Sequence, residues 1–172
     1  DPFNPEKNFE CAVEYHRLNQ TASAISFYLR TAEYGYFRHK EIAYASLLKL
    51  AECFEHQTGR EHTVSNCLLQ AIAYDPSRKE GYLLLSQYYE KAGAWQESYT
   101  FATMGYQLAD KEPLPVHVGY FGEYCLEYQI AVAAYWIGRK DESLALFNKL
   151  LTLSIEPHYE ASVKSNLERL NA

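Results

Sequence analysis

Between Arg78 and Asp110 the apolar and small residues keep helical spacing: Tyr82, Leu85, Ser86 and Tyr89 stand at i, i+3, i+4 and i+7. Gly93 breaks the pattern and Trp95 follows. Ser98, Ala102 and Gly105 then resume it at i, i+4 and i+7. The unit predicted is a hairpin of two helices, and it recurs three times. Upstream, Leu47, Leu50, Ala51 and Phe54 give the first helix, Thr58-Gly59 the turn, and Val64, Leu68 and Ala71 the second helix. Near the start the same columns are filled by Cys11, Ala12 and Tyr15, then Asn19, then Ala24, Tyr28 and Thr31. Towards the end they read Ile130, Ala131 and Ala134, then Gly138, then Ser143, Phe147 and Leu150, with Ala134 where an aromatic residue is expected.

One column holds a small residue in every first helix: Ala12, Ala51, Ser86 and Ala131. A larger side chain there would push neighbouring helices apart, at about 1 to 3 kcal/mol. Repeats are therefore expected over residues 5–35, 41–76, 78–110 and 120–153. Extra residues fall at Tyr36 to Lys40, in the Thr58-Gly59 turn, and in a link through Pro113 and Pro115. Beyond Pro157 a last amphipathic helix, 158–171, carries Tyr159, Val163, Leu167 and Leu170 on one face and suits a cap for the open end of a stacked array.

These columns resemble the tetratricopeptide repeat, a two-helix unit of about 34 residues. "AIAYDP" at the end of the second unit is similar to that family's terminal alanine and proline. The resemblance implies an all-α, right-handed α-solenoid of four hairpins plus the terminal helix, forming a single domain over 1–172. A narrower resemblance is carried by "YDPSRKEGYLLLSQYYEKAGAWQESYTFA" and "AVAAYWIGRKDESLALF". These are similar to tetratricopeptide segments that accompany glycosyltransferase domains in some bacterial, phage and giant-virus proteins. That implies a helical appendage that positions a catalytic domain. This chain has no Asp-x-Asp metal motif and no alternating βα pattern of its own for that chemistry.

A formal net charge of −6 gives no electrostatic footprint for nucleic acid or an anionic membrane. No stretch approaches the ~18 to 20 consecutive apolar residues of a membrane span. The four cysteines have no Cys-x-x-Cys spacing and are expected as buried free thiols, which favours a reducing, cytoplasmic setting. Six histidines offer no local metal pair; His56 and His62 flank a turn and read as solvated. Glu52 and Glu55, or Glu123 and Glu127, stand at spacings expected of a solvated helix face. With no Gly-rich phosphate loop or nucleophile elbow, neither enzyme activity nor a metal or cofactor is expected.

In the related fold the first helices line a concave face. The residues expected there are Phe9, Val13 and Arg17, Leu48 and Glu52, Leu83 and Gln87, and Tyr128 and Val132. The family's Lys and Asn clamp for a peptide carboxylate is absent, since those columns read Phe9/Val13, Leu48/Glu52 and Leu83/Gln87. A protein or peptide presenting a helix or an extended apolar segment is the expected partner. The alternative is that neighbouring helices cover Leu48 and Leu83. Tyrosine is abundant, with 16 copies, and two aromatic clusters fall at inter-repeat insertions: Tyr34, Tyr36 and Phe37, then Tyr120, Phe121 and Tyr124. They suit gap-filling, sugar stacking, or contact with another copy in a self-associating oligomer or filament.

Overall fold

A computed structural model describes residues 1–170. Among them the regular elements are helices: α1 (Pro5–Arg17), α2 (Thr21–Gly35), α3 (Lys40–Glu55), α4 (Glu61–Tyr74), α5 (Lys79–Lys91), α6 (Trp95–Tyr106), α7 (Tyr124–Trp136), α8 (Lys140–Leu150) and α9 (Pro157–Leu170). The chain is all-α and of the α-solenoid class, built of hairpins. Residue 171 of the expected terminal helix lies outside the described residues.

Local chemistry sets the ends. Asn4 caps α1 by accepting the Lys7 N–H at 3.0 Å, and Pro5 follows at the first helical position, where a missing N–H costs nothing. Asn19, Gly59, Gly93 and Gly138, one in each hairpin turn, have φ of 57°, 75°, 71° and 87°. In three of the turns the next residue sends its N–H back to the helix: Gln20 to Tyr15 O at 2.9 Å, Ala94 to Tyr89 O at 2.9 Å, and Arg139 to Ala134 O at 2.8 Å. This is the Schellman stop, and the left-handed residue makes it possible. The second hairpin carries a longer turn and stops α3 differently, with Gln57 donating to Phe54 O.

The chain divides into two compact units. Unit 1 comprises Asp1–Ser77 and Lys111–Val118; unit 2 comprises Arg78–Asp110 and the described residues from Gly119 onward. In unit 1, α1 packs on α2, α2 on α3 and α3 on α4. Ala12, Ala24, Tyr28, Ala51, Leu68 and Ala71 are buried there. In unit 2, α5 packs on α6, α6 on α7, α7 on α8 and α8 on α9. Gly105 of α6 is needed for one approach: a Cβ at this position would sit 2.7 Å from Tyr82 Cβ and 3.1 Å from a Leu126 methyl. On α9, Tyr159, Val163 and Leu167 are buried, the last two with Ala131, Phe147 and Leu150, while Glu160 and Lys164 are exposed.

One buried charge corrects the sequence reading, and a second was not anticipated by it. Glu127, expected on a solvated face, is 3% exposed and accepts from Tyr106 Oη at 2.8 Å and from Lys149 Nζ. Lys79, also 3% exposed, holds Asp110 Oδ1 at 3.0 Å and Glu123 Oε2 at 2.7 Å. It thus fastens Asp110, in the link beyond α6, to Glu123, the residue just before α7. Burial alone would lower the Lys79 pKa, but the hydrogen bonds it donates to the two carboxylates outweigh it and the net shift is upward. Of the cysteines, Cys53, Cys67 and Cys125 are buried; Cys11 is exposed, because a helix turns about 100° per residue and Cys11 faces away from the packed Ala12 beside it.

Candidate functional site

Two places collect the residues expected on the inner face, one in each unit. In unit 1, Val13, His16 and Arg17 of α1, Tyr28 of α2, and Lys49 and Glu52 of α3 line a cavity of about 230 Å³ that Val116 closes from the inter-repeat link. Lys49 Nζ meets Glu52 Oε2 at 2.7 Å, and His16 lies 3.6 Å from Glu52 Oε1 and 3.3 Å from Tyr28 Oη. Cys53 Sγ is 4.0 Å from both His16 ring nitrogens, a pairing that resembles a nucleophile with its base. The environment works against that chemistry. Burial pushes the Cys53 thiol up to about 11 and lowers the His16 pKa, with Glu52 opposing the latter shift, so both groups are neutral near pH 7.

In unit 2, α5, α7 and α9 enclose a cavity of about 350 Å³ whose wall includes Glu90, Trp95, Tyr128, Val132, Tyr135, Trp136, Asn166 and Arg169. A more open cavity of about 590 Å³ shares Glu90, Trp95 and Tyr128 and adds Gln87, Lys91 and His158. The indoles of Trp95 and Trp136 stack with centroids 5.0 Å apart and planes at 15°, yet Trp136 remains 58% exposed. Buried Gln129 donates to Glu90 at 2.5 Å and to Ser98 Oγ at 3.3 Å, which fixes the carboxylate at the edge of the aromatic wall. Aromatic side chains and polar groups thus line these cavities together.

Placement of the expected inner-face residues follows a simple rule. Val13, Glu52, Gln87 and Val132 each follow the small-column residue directly, and all four are half-buried and line a cavity. Phe9, Leu48 and Leu83 stand three before that residue and are 8%, 1% and 0% exposed. They belong to the core, because residues at i and i+3 share a helix face and the small residue is the packed one. Tyr128, also three before, is half-buried and reaches both cavities of unit 2. Arg17 is exposed at the edge of the unit 1 cavity.

The aromatic clusters are partly tied down. Tyr34 packs edge-on against Phe3 at 5.2 Å, and Tyr36 lies 4.8 Å from the ring of Tyr74, whose hydroxyl donates to Tyr36 O at 2.5 Å. Phe37 is 84% exposed. Tyr120 donates to Asp110 at 3.1 Å, Tyr124 accepts from Glu156 N–H at 3.3 Å, and Phe121 leans on His158 and Tyr159. Sequence reading missed Trp136 as a site residue and Val116 altogether. Only the alternation of Leu114, Val116 and Val118 signalled the latter. Among the described residues no group of three or more His, Cys, Asp or Glu is placed to hold a metal ion, and no helix is long and apolar enough to cross a membrane.

No protein-family model matches the sequence, and no curated protein matches it. Solved structures do. MamA aligns with a TM-score of 0.64 at 14% identity, covering 96% of this chain and 76% of that one. The nearly identical TPR-like repeats of a Podosopora anserina protein described as a kinesin light chain align with a TM-score of 0.65 at 16% identity, covering 99% and 86%. TTC0263, a thermophilic TPR protein of Thermus thermophilus, gives 0.55 at 18% identity, covering 99% and 82%. At these identities the likeness is one of fold: tetratricopeptide-like hairpins.

Proposed function

We propose that this chain is a non-catalytic helical-repeat scaffold whose unit 2 cleft receives a segment of a protein or peptide partner. The observation that carries the reading is the stacked Trp95–Trp136 pair on the cleft wall, with Trp136 still 58% exposed. Rigid aromatic side chains beside fixed polar groups are the usual anchors of protein interfaces. Positioning of an attached glycosyltransferase domain, which the narrower sequence resemblance implies, is the same proposal with the partner in one polypeptide.

Peptides selected from a displayed library on the wild-type chain provide the test, with affinity measured by calorimetry. Trp136→Ala should weaken them by about 30-fold, the equivalent of a ~2 kcal/mol anchor. Val132→Glu should do the same at unchanged helicity. Wild-type affinity in both variants would remove the cleft as the binding site.

Self-association is a second reading, favoured by Phe37 at 84% exposure beside half-exposed Tyr36. Light scattering over a range of concentrations decides it: Phe37→Asp should lower the mass if that patch joins copies, and a wild-type mass already constant at one chain would exclude it.

A further inference from the structure

The link between α6 and α7 does more than span a distance. Its residues Lys111–Val118 belong to unit 1, although the elements on either side belong to unit 2. Along this stretch burial alternates: Leu114, Val116 and Val118 are half-buried, while Pro113, Pro115 and His117 are exposed. The alternation turns an aliphatic side of the segment inward, although the chain bends at Pro115 and Val116. Two prolines fix φ at their own positions and restrict the residues before them. At the upstream end Lys111 Nζ reaches Asp75 Oδ2 at 3.2 Å and also Ser77 Oγ. Further along, Val116 closes the cavity formed by α1, α2 and α3. Anchored by one cation and seated by alternate aliphatic side chains, the segment lies on unit 1 as a bound peptide would.

We propose that residues 111–118 are the resident occupant of a peptide groove on unit 1. A partner carrying a segment of the same pattern, aliphatic side chains at alternate positions after a lysine or arginine, binds there by displacing it. The resident strap lowers the partner's apparent affinity by the fraction of time the groove is open. This groove is distinct from the unit 2 cleft, so either proposal can fail alone.

A fluorescein-labelled peptide, KEPLPVHV, tests this by anisotropy on the full chain. Val116→Asp and the milder double variant Lys111→Ala with Leu114→Ser should each bind it at least tenfold tighter than wild type. A peptide with aspartate in place of the first valine should lose binding, as should the groove variant Val13→Arg made in the double-variant background. On the unsubstituted chain, excess peptide should speed hydrogen exchange of the backbone amides between residues 114 and 118. Equal affinity for wild type and both variants, no binding to a variant of wild-type helicity, or unchanged exchange would each overturn the proposal.

Discussion

Gly105 shows how much a single atom decides. A methyl added there meets Tyr82 Cβ at 2.7 Å, a contact that neither helix can relieve by turning a side chain. Gly105→Ala should therefore lose about 1 to 3 kcal/mol in urea unfolding, whereas an exposed helical glycine would gain from the same change. His16 makes a second residue-scale prediction. Its pKa lies below the ordinary 6.5, through burial and then the nearby charges of Lys49 and His56, with Glu52 opposing the shift. A depressed histidine contributes no penalty above pH 6.5, where both folded and unfolded forms are neutral. Below that value the unfolded chain takes the proton first, and stability falls until the folded form protonates too. Melting temperatures measured from pH 7.5 down to 5 should decline from about pH 6.5, and His16→Gln should flatten part of that slope. An unchanged slope would place the dependence elsewhere. The left-handed turns and the small column were legible in the sequence because they obey local rules. Lys79 and Glu127 were not, since their burial depends on Asp110, Glu123, Tyr106 and Lys149, partners 21 to 44 residues away.

At the scale of elements, helix boundaries follow from turn chemistry, while the role of a connection depends on what it lies against. The α6–α7 link shows this. Its prolines announced an insertion, but its attachment at both ends to Lys79 was invisible without the fold. Lys79→Met leaves the Asp110 carboxylate, which is exposed, and the half-buried Glu123 carboxylate to water. The expected loss is about 2 kcal/mol, in the range of charged hydrogen bonds, with faster hydrogen exchange confined to residues 110–123. Exchange unchanged in that stretch would mean that other contacts hold it. Inner-face residues divided by the same logic: a helix rotates 100° per residue, so Val13, Glu52 and Gln87 turn towards the cavities while Phe9, Leu48 and Leu83 stay under the small column.

For the molecule as a whole, recurrence was the strongest signal, because four imperfect copies of one pattern constrain each other as no single helix can. The charge of −6 is likewise a whole-chain property, and a heparin column at physiological salt should not retain the protein. Retention would require a local basic surface that the sequence does not show.

The indole stack in unit 2 has an optical consequence. Trp95 and Trp136 are the two tryptophans of the chain, so all of its indole absorption and emission comes from one coupled pair. Light selective for indole sees unit 2 and nothing of unit 1, whose aromatic residues are tyrosine and phenylalanine. Excitonic splitting in the circular dichroism should report whether the rings remain parallel, without a label. Emission that shifts when a ligand is added then locates that ligand at the cleft wall, whereas a ligand on unit 1 leaves the spectrum dark to its arrival.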